Sequence, residues 1–71
     1  MRIEYDQEAD ALYIRFREAK PVDNIDMDEG MTVDLDEHKQ LIGIEILSVS
    51  RRLPDDALAS ITLQNLLATT N

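Results

Sequence analysis

Between Met31 and Leu47 the chain reads MTVDLDEHKQLIGIEIL, and this segment restricts the fold more than any other. Met31, Val33 and Leu35 alternate with Thr32, Asp34 and Asp36; Ile42, Ile44 and Ile46 alternate with Gly43 and Glu45. Neighbouring side chains of a strand point to opposite faces, so this period of two marks a pair of half-buried strands. Folding the chain about His38-Lys39 sets Leu35 opposite Ile42, Val33 opposite Ile44 and Met31 opposite Ile46. All six then share one face. A slip of one residue would turn one strand's apolar set towards solvent, so the pattern specifies its own register.

The same stretch carries carboxylates at Asp34, Asp36 and Glu45, the first, third and twelfth places of a calcium-binding loop. Such a loop needs glycine at its sixth place and an oxygen ligand at its fifth, where this chain has Lys39 and His38. It must also join two helices, whereas both flanks here have strand period. The segment is therefore a turn, with Asp34 opposite Gly43 and Glu45 opposite Thr32 on the polar face. His38, the only histidine, reads as a turn residue able to take a positive φ, and one histidine assembles no zinc cluster.

Two more strands precede the hairpin. Ile3 and Tyr5 alternate with Arg2 and Glu4; Leu12, Ile14 and Phe16 alternate with Tyr13, Arg15 and Arg17. They read as an antiparallel pair, in a register that opposes Arg2 either to Arg15 or to Arg17. Pro21 ends this pair or begins the link, and Val22–Met27 is an edge-strand candidate through Ile25 and Met27.

The end of the chain changes character. Pro54 suits a first helical turn, and Asp55 and Asp56 suit the positive end of a helix dipole. From Ala57 onward no residue is charged. At helical spacing Leu58, Ile61, Leu63, Leu66 and Leu67 spread over more than half the circumference, wider than one small sheet can cover. The expectation is a helix from Pro54 to about Ala68, with those five side chains contacting another copy or another protein; the alternative is that Leu66 and Leu67 fray into a loose, uncharged tail.

Seventy-one residues make one domain whose core is marginal, and the absence of cysteine removes the disulfide staple that small domains often use. Oligomerisation, or a partner chain, is the remaining device. A net charge of −8 opposes sequence-independent nucleic-acid binding; it reads first as a solvated acidic surface, and it also suits a basic protein partner. No leader and no apolar run of membrane-spanning length is evident, so the expectation is a cytoplasmic protein without membrane attachment. Gly30 and Gly43 are the only glycines, so no phosphate-cradling loop exists. Nothing in the pattern calls for a cofactor or a metal. Arg51-Arg52, the one adjacent basic pair, reads as a helix-end or ion-paired feature, with anchoring of an acidic partner as the other reading.

YDQEADALYIRF, followed after an acidic linker by GMTVDLDEHKQLIGIEILSVSRRL, resembles the small bacterial family catalogued as domain of unknown function 2283. The resemblance covers roughly Ile3 to Leu53 and leaves the C-terminal segment outside. Members usually carry Asp-Gly at the hairpin tip, where this chain has His38-Lys39; a looser four-residue loop is the alternative to a tight turn. The resemblance implies a β-rich domain with no agreed activity and no catalytic residues to carry over. Some members are described beside small toxin-like genes, which implies an antitoxin-like role.

The fold expected is α+β, a four- or five-stranded antiparallel meander over residues 1–53 with a C-terminal helix and tail over 54–71 in the same domain. The function expected is a non-catalytic protein–protein interaction module, homodimeric and antitoxin-like. The alternative is a small metal-dependent hydrolase using Asp34, Asp36 and Glu45.

Overall fold

The computed structural model describes residues 1–65. Five strands form one antiparallel sheet: β1 Arg2–Asp6, β2 Ala11–Arg15, β3 Asp23–Asp28, β4 Met31–Leu35 and β5 Leu41–Leu47, in the order β1-β2-β5-β4-β3. The chain thus makes a hairpin (β1–β2) and a three-strand meander (β3–β5), joined where β2 pairs with β5. Position follows composition. The longest and most aliphatic strand, LIGIEIL, lies at the centre, and the most acidic, DNIDMD, lies exposed at an edge. Charges on an edge strand discourage pairing with a further strand, which is where β3 is useful.

Val33 faces Ile44, Met31 faces Ile46, Asp34 faces Gly43 and Thr32 faces Glu45, as the alternation requires. The tip differs. Leu35 pairs with Leu41 rather than Ile42, and the ladder shifts between Asp34 and Leu35. A β-bulge sets two residues of one strand against one of the other, and Leu41 and Ile42 together do so here. The cause is the loop. One Asp36 carboxylate oxygen accepts the backbone N–H of His38 and of Gln40, each at 2.8 Å, while the Lys39 N–H reaches the Asp36 carbonyl at 3.0 Å. An aspartate turn of this kind spans 36–40, and the positive φ falls on Lys39 (61°), not on His38. On the other side of the sheet Arg2 faces Arg15, which settles the register of the first pair.

The C-terminal helix is displaced from its expected place. Helix α1 occupies only Val49–Arg52, a 3-10 turn covers Asp55–Leu58, and 59–65 is neither helix nor strand. Proline explains the break: the residue before it is pushed out of the helical region, and Leu53 is extended (φ −122°, ψ 147°). Beyond it, Ser60, Ile61 and Thr62 are poor helix formers, and an uncharged segment has no i,i+4 ion pairs to offset nucleation. Leu66, Leu67 and the end of the expected helix at Ala68 lie outside the described residues.

The core is small. Only Leu12, Ile42 and Val49 are buried apolar side chains among the described residues. Val49 is carried there by a short staple: Ser48 turns at positive φ (54°), and the Val49 N–H donates to the Asp10 carbonyl at 3.0 Å.

Candidate interaction surface

Register sorts the sheet into two faces. On one, Ile3 faces Ile14, Ile14 faces Ile44, Ile44 faces Val33 and Val33 faces Ile25. One aliphatic row therefore crosses all five strands, about 19 Å at ordinary strand spacing. A second row, Tyr5, Leu12, Ile46 and Met31, runs beside it. No member of the first row is buried, and Ile25 is 52% exposed. Met27, next along β3, is also open. This face is built like the inside of a domain and is left partly uncovered.

The opposite face is polar and closely fitted at one point. Tyr13 lies over Gly43 so closely that a Cβ there would come within 2.6 Å of the ring and 2.8 Å of the Ile14 carbonyl oxygen. The Tyr13 hydroxyl donates to Asp34 Oδ2 at 2.8 Å, and the Arg15 guanidinium lies 5.0 Å from the ring centroid. Partial burial, then the bond to Asp34, raises the Tyr13 pKa above its ordinary value. Glycine inside a strand often marks such a close approach; that signal was in the sequence, and only its partner was hidden.

Two aspartates tie the ends of the sheet. Asp10, at φ 52°, accepts from Ser50 Oγ at 2.7 Å, from the Ser50 N–H at 3.1 Å and from the Tyr5 hydroxyl at 3.2 Å. At the other end Asp36 holds its loop and pairs with Arg17. The side-chain bond from Ser50 lowers the Asp10 pKa most, and the backbone bond from Gln40 lowers that of Asp36 most. An unfolded aspartate titrates at about 3.9. A depressed native pKa contributes stability that is complete above that value and is lost as pH falls through the native pKa. The urea midpoint should therefore drop progressively below about pH 4, and Asp10→Asn should flatten that acid limb. An unchanged limb would remove Asp10 from this role.

The hydrolase residues do not converge. Asp34 and Glu45 lie on the polar face, with Asp34 accepting from Tyr13, while Asp36 is occupied in its loop. Among the described residues no three histidine, cysteine or acidic side chains form a group able to hold a metal. Of the expected contact residues, Leu58 is half-buried in the 3-10 turn, whereas Ile61 and Leu63 are 65% and 78% exposed. Leu66 and Leu67 fall outside the described residues. Arg52 binds its own protein: Nε donates to the Leu47 carbonyl at 3.2 Å, and the guanidinium also reaches the Glu29 carbonyl. That pins α1 to the β3–β4 turn, where Gly30 takes a positive φ of 78°. Among the described residues, no helix is long and apolar enough to cross a membrane.

The row from Ile3 to Ile25 came out of the pairing of β2 with β5, which no single stretch of sequence displays. No curated protein and no solved structure matches the chain. The model of the family described as "Protein of unknown function (DUF2283)" matches residues 2–50, well over half of the length, and the chain belongs to that family.

Proposed function

We propose that this protein is a non-catalytic interaction module whose apolar sheet face is completed by another polypeptide. The row Ile3, Ile14, Ile44, Val33 and Ile25 carries the reading. A five-stranded sheet normally buries one face against a second layer, and among the described residues α1 and the 3-10 turn, eight residues together, are too short to form that layer. Ile25 and Met27 are exposed and the rest of the row is half-buried, and apolar surface left open in this way marks protein contacts. The acidic β3 edge and the net charge of −8 suit a basic protein in the finished assembly, which is the form an antitoxin-like role would take. The reading is of a cytoplasmic protein, consistent with the lack of cysteine.

The test is a photo-crosslinking residue, p-benzoylphenylalanine, placed at position 25 in the expressed full chain and irradiated in cells. The expected result is an adduct heavier than the 8.1 kDa chain. If light produces no adduct to any polypeptide while the protein remains folded, the interaction-module reading fails.

A further inference from the structure

We infer that the polypeptide covering the apolar face is a second copy of this chain, packed sheet to sheet about a two-fold axis that runs beside β5. The inference rests on the interaction-module reading and names its partner.

Area supports it. The chain exposes 5794 Å², against roughly 4,500 Å² for a compact monomer of this mass. The exposed segment 59–65 and the half-exposed apolar row both contribute to the difference. A standard interface removes about 800 Å² from each partner, which fits within that excess. The five strands make a single sheet layer, and stacking a second sheet about 10 Å away would give the usual two-layer sandwich.

The pattern of the row supports it further. From the centre outward it reads Ile44, then Ile14 and Val33, then Ile3 and Ile25, so it is nearly the same in both directions. A two-fold along β5 sets Ile44 over Ile44, Ile14 over Val33 and Ile3 over Ile25, with aliphatic against aliphatic throughout. An isologous interface requires this kind of self-matching.

Charge chooses the arrangement. Pairing edge to edge through β3 would bring Asp23, Asp26 and Asp28 against their own copies. A two-fold running across the strands would again set β3 over β3, where Asp23 and Asp28 share the apolar face through their partners Leu35 and Met31. The two-fold along β5 sets β3 over β1 and avoids both. Two chains of −8 still repel at long range, so added salt should tighten the dimer.

Sedimentation equilibrium on the purified full chain tests this. The expected mass is twice 8.1 kDa, with the dissociation constant falling between 50 mM and 500 mM sodium chloride. Ile44→Asp would bury two facing carboxylates, and dissociation should become at least about 100-fold easier. Should that variant fail to fold, Ile25→Asp at the open rim serves, since the position already tolerates water; circular dichroism checks that it keeps the sheet. The crosslink from position 25 should map to β1 of another copy, at Ile3 or Tyr5. A folded wild-type monomer across the concentration range overturns the inference. So does a dimer that both aspartate variants leave intact, or an adduct confined to the polar face. A monomer that nonetheless crosslinks to a different protein sinks the second copy and leaves the interaction module standing.

Discussion

Gly43→Ala is expected to destabilise the protein by about 3 kcal/mol, shown by a lower urea midpoint in circular dichroism. Alanine ordinarily improves on glycine inside a strand by roughly 0.5–1 kcal/mol, so the expected sign is reversed here. The reversal is geometric. The new methyl would lie 2.6 Å from the Tyr13 ring and 2.8 Å from the Ile14 carbonyl oxygen. Tyr13 can swing away, but only by giving up its hydrogen bond to Asp34, worth about 1 kcal/mol. The carbonyl belongs to the neighbouring strand β2 and cannot move without opening the β2–β5 ladder. Combining Gly43→Ala with Tyr13→Ala should therefore recover only part of the loss. Full recovery would show that the ring alone sets the requirement, and an unchanged midpoint in the single variant would refute the close approach altogether.

Ile42→Ala should have a comparable effect, about 3 kcal/mol, through the opposite mechanism. Among the described residues Ile42 is one of two fully buried large side chains, with Val49 the other. Removing it leaves a cavity at the bulge, where Leu41 and Ile42 together face Leu35 and the ladder has already shifted. Folded domains are stable by roughly 5–15 kcal/mol, and a chain with three buried apolar residues among those described belongs near the low end. The variant should be partly unfolded near 37 °C, visible as a broad, low-temperature melt. Leu41→Ala, at 40% exposure, provides the contrast and should change the midpoint much less. Equal effects at the two positions would mean that the bulge is absent and that Leu41 shares the core.

The β4–β5 hairpin was legible in the residues because strand period two and a buried face leave one workable register. Met31, Val33, Ile44 and Ile46 fall where alternation puts them. The loop at its tip was less legible, since the bulge depends on where the Asp36 carboxylate directs its two hydrogen bonds. The expected helix from Pro54 failed for a related reason. Apolar spacing records which side chains share a face if a helix forms, and says little about whether it forms. Proline, β-branched residues and the lack of charge pairs decided that.

Local alternation by itself determined β1, β2, β4 and β5 and their apolar sides, and left β3 as an edge-strand candidate. Only the tertiary structure decided that β2 lies beside β5, and this one long-range pairing turned separate isoleucines and a valine into a continuous row across the sheet. The same pairing set Tyr13 beside Gly43 and thereby explained a glycine within a strand. The physical reason is range: side-chain alternation acts between residues two apart, whereas the choice of neighbouring strand is made by burial of the whole sheet at once.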